Sequence, residues 1–281
     1  MSAQVMRGRE VATALLEELR ADVDALPAAP RLVFVRASSD PASASYVRSK
    51  AKLAGKAGVR HETRVLEATA SQQDVLDAVA EANDDPDVDG VLVQLPLHDH
   101  LDAGPILDAV DPDKDVDGLH PVNVGRLWSG RPGLVPATPA GLMRILDHYR
   151  VEIEGRHVVI IGRSELVGKP AAALFLRRHA TVTVAHSRTR DLPAQVRRGD
   201  IVLAAAGRPG LIQPDMVRAG AVVLDVGQSR VDGSLRGDVA PEVAEVASAL
   251  TPTPGGTGPM TVAMVVANTV AAARARRGNG V

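Results

Sequence analysis

The 281-residue chain contains no cysteine, so neither disulfides nor thiolate metal sites belong to its framework, which suits a reducing compartment. Aromatic residues make up 2% of it, with two Tyr, two Phe and one Trp, leaving few platforms on which nucleobases could stack. An excess of one charge is missing as well. Its 32 Lys and Arg stand against 34 Asp and Glu, for a formal net charge of -2, so no overall field attracts nucleic acid or an anionic membrane. We expect neither as a partner. The longest mostly apolar stretch, Met260 to Ala273, falls short of the roughly 18 residues a membrane span requires. Between Val5 and Leu26 the charges at Arg9, Glu10, Glu17, Glu18 and Arg20 interrupt any apolar core of an export signal. The expectation is a cytoplasmic globular protein, long enough for two α/β units of about 140 residues each.

What is present alternates between strand and helix patterns. Val5, Val11, Leu15, Leu16 and Leu19 follow a helical spacing that Pro27 and Pro30 end. Arg31 to Arg36 is a short apolar run of the buried parallel type. After it, Asp40 is suited to cap a helix and Pro41 to open it, so that Tyr46 and Lys50 stand one turn apart. An ammonium beside a phenol could act on one small bound molecule; a solvated Lys with a Tyr packed behind it is the alternative. His61 to Leu66, a helix from Ser71 to Asn83, and Asp89 to Leu95 continue the pattern, placing Gln94 at a strand's carboxyl end, where parallel sheets bind ligands. Pro96 to Pro139 reads as a loop-rich boundary and a wall of a site.

The second half starts with a helix from Thr138 to about Tyr149 and the strand His157–Ile161, which runs into Gly162-Arg163-Ser164-x2-Val167-Gly168 and an apolar helix. This is a strand-turn-helix of the dinucleotide-binding kind: Gly162 permits the tight turn, Gly168 lets helix approach strand, and the helix N-terminus offers backbone N–H groups to a pyrophosphate. The spacing is Gly-x5-Gly. No acid ends the next strand, Thr181 to Ala185; His186-Ser187-Arg188 follows instead, and with Arg163 and Ser164 could surround a 2′-phosphate, which favours NADP over NAD. Strands at Asp200–Ala205 and Ala221–Val226 end in glycine turns at Gly207 and Gly227-Gln228, where a nicotinamide could lie against backbone. Pro254-Gly255-Gly256 would let bare backbone approach a flat ligand, or form a hinge. Two metal-like patterns fail. Asp113 to Gly118 matches the start of a calcium loop, but Val124 stands where its bidentate Glu is required, and His98-Asp99-His100 implies no further ligand. No metal is expected.

Taken together, Tyr46-x3-Lys50, Val93 to Leu97, Lys114 to Gly118, the Gly162–Pro170 turn and Pro254 to Thr261 resemble, in order and separation, the bifunctional methylenetetrahydrofolate dehydrogenase/cyclohydrolase family. The resemblance implies two α/β domains, the second a Rossmann-like parallel sheet, with an interdomain cleft holding the folate. A catalytic, folate-binding domain would comprise residues 1–138 plus a C-terminal helix 262–281, and an NADP-binding domain residues 139–261. It further implies a cytoplasmic homodimer in one-carbon metabolism and purine biosynthesis. Such an enzyme oxidises 5,10-methylenetetrahydrofolate with NADP to the methenyl form and hydrolyses that to 10-formyltetrahydrofolate. Carried over by position, Lys50 is the central cyclohydrolase residue, Tyr46 packs on the folate ring and orients Lys50, Gln94 bonds near the reacting centre, and Asp117 grips the pterin. Ser38, His98, Gln228-Ser229, Thr253 and Thr257 depart from the family pattern. Competing readings are a cyclohydrolase with weak or NAD-preferring dehydrogenase activity, a folate or dinucleotide sensor without turnover, and a short-chain dehydrogenase. In that last family the Tyr-x3-Lys pair follows the dinucleotide turn, whereas here it precedes it.

Overall fold

The computed structural model describes residues 3–277. In chain order the elements are β1 (Gln4–Val5), α1 (Gly8–Asp24), β2 (Arg31–Arg36), α2 (Pro41–Lys56), β3 (Arg60–Val65), α3 (Gln72–Asp84), β4 (Gly90–Val93), α4 (Ala103–Asp108), α5 (Pro121–Trp128) and α6 (Ala137–His148). There follow β5 (His157–Ile161), α7 (Gly168–Arg177), β6 (Thr181–Ala185), α8 (Leu192–Val196), β7 (Ile201–Ala204), β8 (Val222–Asp225), the hairpin β9 (Ser229–Val231) and β10 (Ser234–Arg236), β11 (Ala249–Leu250) and α9 (Thr257–Arg276). They form two compact units, one of Thr13–Ala137 with Val262 onward, the other of residues up to Ala12 with Thr138–Thr261.

In the first of these, a three-stranded parallel sheet has the order β3-β2-β4. Leu32 to Val35 of β2 have no exposed surface, as a continuous apolar run in a doubly covered central strand requires. Arg60–Val65 alternates exposed and half-buried positions because β3 is an edge. The chain leaves β2 through α2 to β3 on one side, then returns through α3 to β4 on the other. That reversal opens a crevice at the carboxyl ends of β2 and β4. Ser71 and Asp74 close a reciprocal capping box on α3. The stretch read as loop between Pro96 and Pro139 contains α4 and α5. Their prolines sit in the first turn, where a missing N–H costs nothing, and Asp102 and His120 side chains cap them. Near the end of the chain, Asn268 on α9 donates to the carbonyls of Val116 and Val135 at 2.8 and 2.9 Å.

The other unit carries a six-stranded parallel sheet, β1-β11-β8-β7-β5-β6. Here too the order reverses beside the first long strand: β6 lies on one side of β5 and β7 on the other, so a crevice opens beyond β5 and β7. The amino-terminal residues differ from expectation. Val5 is in a strand, not a helix, and residues up to Ala12 join this unit instead of the one beginning at Thr13, because β1 pairs with β11. The last helix also starts earlier than residue 262, at Thr257, with Pro259 tolerated in its first turn; residues 278–281 of that expected helix lie outside the described residues.

Candidate active site

In the unit holding α2, Lys50 is 7% exposed and its Nζ donates to Gln94 Oε1 at 3.1 Å. Gln94 is the residue after β4, and its own amide donates to the Leu95 carbonyl at 2.5 Å. The partner of the amine is thus neutral. Burial pulls the Lys50 amine below the ordinary lysine range, and the negative charge of Asp117 opposes that shift. Asp117 is pushed up, first by desolvation and then by Asp115, with Lys50 acting against both. Tyr46, one turn before Lys50, is 48% exposed, so its ring is open to a ligand. Sequence reasoning passed over Ser43. It lies on the Lys50 face of α2, one turn before Val47, and its Oγ is buried without a protein partner; its i, i+7 relation to Lys50 was the available signal.

The segment carrying Asp117 is held in place by its neighbours. Lys114 Nζ is buried and donates to the carbonyls of Ala82, Asn83 and Asp85 at the end of α3. The Asp115 carboxylate accepts from Gly118 N, His120 N and Asn123 Nδ2. Residue 115 also bridges to Val91 of β4. Lys114 and Asp115 are therefore occupied by the fold, and Asp117 is the carboxylate of this run that pairs electrostatically with Lys50.

In the other unit, Gly162 has φ +123°, and a Cβ there would stand 2.1 Å from the Ala205 carbonyl oxygen. At Gly168 a Cβ would stand 2.2 Å from the Gly162 carbonyl oxygen. Both positions exclude any side chain, as a turn that brings backbone onto a pyrophosphate needs. Ser164 Oγ accepts from Val167 N, and Val167, the residue before α7, makes no side-chain cap of its own. A cavity of about 430 Å³ opens here, lined by Gly162, Arg163, Ser164, His186, Ser187 and Arg208 among others. Arg188, Val167, Gly168, Gly207, Gly227 and Gln228 do not line it. Arg188 N donates to His186 Nδ1, tightening the bend after β6, and Gln228 Nε2 lies where a Cβ on Gly258 would come within 2.9 Å. Pro254, Gly255 and Gly256 lead into α9; Gly255 has φ +100°, and Gly256 packs so closely on Gly8 that a Cβ there would stand 2.0 Å from the Gly256 carbonyl oxygen.

Arg208, Asp225 and Asp238 were missing from the sequence-derived set. Arg208 follows the Gly207 turn and was not singled out in the sequence. Asp225 and Asp238 are 3% and 0% exposed, and burial pushes the Asp225 carboxyl up to about 6.

Known proteins settle the kinship. Residues 6–117 match the catalytic domain of tetrahydrofolate dehydrogenase/cyclohydrolase, and residues 136–277 match its NAD(P)-binding domain. The chain belongs to that family. A bifunctional protein FolD of Thermus thermophilus is 53% identical over 277 residues, covering 99% of this chain and 98% of the relative. The crystal structure of the bifunctional FolD enzyme from Campylobacter jejuni is 39% identical with a TM-score of 0.93, covering 98% of this chain and all of that one. The Trypanosoma brucei FolD, solved with NADP cofactor and an inhibitor, is 38% identical with a TM-score of 0.93 over the full length of both chains.

Proposed function

We propose that this protein oxidises 5,10-methylenetetrahydrofolate to the methenyl form with NADP and hydrolyses the methenyl form to 10-formyltetrahydrofolate. The observation that carries the proposal is the buried Lys50 amine resting on the neutral amide of Gln94. The methenyl substrate is a cation, so an amine already biased toward its neutral form is both a tolerable neighbour and an available base. Water adds to the bridging carbon and loses one proton to Lys50; the C–N5 bond then breaks as the adduct's hydroxyl becomes the formyl C=O and its proton passes to N5, leaving the formyl group on N10. Gln94 holds the amine in place through its Oε1. Tyr46 covers the folate ring and limits the rotation of Lys50 on the same helical face. Asp117 accepts from the amino-pyrimidine edge of the pterin. Those new donors replace the water it gives up, favour its ionised form and offset the upward push of burial.

For the oxidation, NADP supplies the hydride acceptor. Gly162 and Gly168 leave backbone exposed to its pyrophosphate, and Arg163, Ser164, Ser187 and Arg188 take the 2′-phosphate. Val167, Gly207, Gly227 and Gln228 shape the path of the nicotinamide, while Pro254, Gly255 and Gly256 offer bare backbone to the folate. The cradle fits this cofactor because Gly162 and Gly168 admit no side chain at the turn, and Arg163 and Arg208 line one cavity with Ser164 and Ser187 where no acid ends β6. We also place the protein in the cytoplasm as a homodimer supplying formyl groups for purine biosynthesis; sedimentation at micromolar concentration tests the dimer.

The deciding assay mixes protein with methylenetetrahydrofolate and either NADP or NAD, following methenyl absorbance and then 10-formyl product. Turnover with NADP ahead of NAD is the expected result. Tight binding with no turnover would instead assign a sensor, and faster turnover with NAD would remove the 2′-phosphate roles.

A further inference from the structure

We infer that Asp225 and Asp238 form a buried carboxylate pair that fixes the cofactor turns and the Thr251–Gly256 segment to one another, and so act as positioning residues for hydride transfer. This rests on the function proposed above. Asp238 Oδ2 accepts from Ala206 N and Gly207 N at 2.6 and 2.9 Å, and its Oδ1 accepts from Arg208 N at 2.6 Å. The whole turn after β7 therefore hangs on one carboxylate, with the Arg208 side chain at the wall of the 430 Å³ cavity. Asp225 gathers the rest. Its Oδ1 accepts from Gly227 N at 3.1 Å and Asp238 N at 2.9 Å; its Oδ2 accepts from Val239 N and Thr253 Oγ1, both at 3.3 Å.

The backbone of Asp225 completes the tie. Its N–H donates to Thr251 Oγ1 at 2.7 Å, and its carbonyl accepts from Thr257 Oγ1 at 3.3 Å. One residue thus holds both ends of the segment containing Pro254, Gly255 and Gly256. Two glycines exist to admit the acids: a Cβ on Gly227 would stand 2.2 Å from Asp238 Oδ1, and one on Gly237 would stand 1.7 Å from Asp225 Oδ2. Every donor aimed at the pair is an N–H or O–H, a pattern a carboxylate accepts on both oxygens and an amide on one only. Turns from three distant stretches of chain share these acceptors, so a shift in one is passed to the others. Hydride transfer depends on that geometry more than water addition does.

Asp238→Asn preserves shape but turns one acceptor into a donor facing backbone N–H groups. In the ligand-free variant, hydrogen exchange at Ala206, Gly207 and Arg208 should accelerate. The dissociation constant for NADP should rise at least tenfold and dehydrogenase kcat fall at least tenfold. Cyclohydrolase kcat, carried by Lys50 in the other unit, should stay within twofold of wild type. Unchanged NADP binding and dehydrogenase kcat would overturn the inference, and so would equal losses in both activities. The wild-type protein gives a second measurement that needs no variant: added NADP should slow exchange at residues 206–208, 227–228 and 251–256 together. Protection confined to the first of these would overturn the coupling. Wild-type protein that binds NADP but does not oxidise the folate would count against the proposed function, while the exchange and binding data still decide the role of the pair.

Discussion

Replacing Lys50 by Met separates chemistry from stability. The methionine fills nearly the same volume, and such swaps in a packed site cost under about 1.5 kcal/mol. Losing the Nζ donor leaves Gln94 Oε1, bonded at 3.1 Å, without its partner, for about 1–3 kcal/mol. Relief of the buried amine works in the opposite direction, since desolvation is the leading cause of its lowered pKa. The net change in stability should fall within about 2 kcal/mol, or a melting shift of no more than roughly 8 °C for units of this size. The catalytic effect is larger. Removing a positioned base should lower cyclohydrolase kcat by about 10²–10⁴, equivalent to roughly 3–5 kcal/mol of barrier. The assay is the decay of methenyl absorbance after correction for spontaneous hydrolysis, with NADP affinity by fluorescence and melting temperature measured on the same sample. A folded Lys50→Met variant that hydrolyses the methenyl substrate at the wild-type rate would refute the assignment.

Further expectations can be tested separately. Because burial lowers the Lys50 pKa, its neutral form grows as pH rises, so cyclohydrolase rate should climb with pH and level off below the 10.5 of an ordinary lysine; a flat profile from pH 6 to 9 would argue against a titrating amine. Asp225, raised from 3.8 to about 6, binds its proton more tightly when folded. Its contribution to stability therefore falls as pH rises from about 4 through 6, by about 3 kcal/mol at completion; denaturant titrations of wild type and Asp225→Asn across that window should diverge by this amount, and parallel curves would contradict it. Gly168→Ala drives a Cβ into the Gly162 carbonyl and should abolish NADP binding while leaving cyclohydrolase in place, as calorimetry and the methenyl assay would show. Arg163→Ala and Arg188→Ala should raise the Michaelis constant for NADP more than for NAD, with equal effects on both cofactors counting against their role.

Much of the fold could be read from periodicity because buried parallel strands write themselves as short apolar runs. β5 and β6 fall on the residues expected, and β2 likewise. What escaped was structure made by distant pairing or by capping. β1 and β11 are two residues each and exist only through pairing with distant chain, β1 on β11 and β11 on both β1 and β8. The hairpin β9–β10 was missed although Asp232-Gly233, both with positive φ, is a strong two-residue turn signal. At the site, Lys50 and Gln94 were legible because helix spacing and a strand end place them, whereas Asp117 was reached only through the likeness of its motif to the family's. Asp225 and Asp238 were not, since an acid among apolar residues gives no sign of which backbone N–H groups will converge on it. The metal-like run from Asp113 dissolves for a similar reason: Lys114 and Asp115 are bound to carbonyls and N–H groups that only the folded chain brings near.

The bond from Asn268 to the Val116 carbonyl spans 152 residues of sequence, and the one from Arg277 to Asp89 spans 188. Contacts of such separation form late. On a ribosome the strands β2, β3 and β4 emerge early, yet the loop bearing Asp117 waits for α9, made last, to supply the donor that braces Val116 and Val135. A nascent chain halted before α9 would hold a finished small sheet with the loop around Asp117 unbraced, so the setting of that carboxylate beside Lys50 is completed only by the final helix.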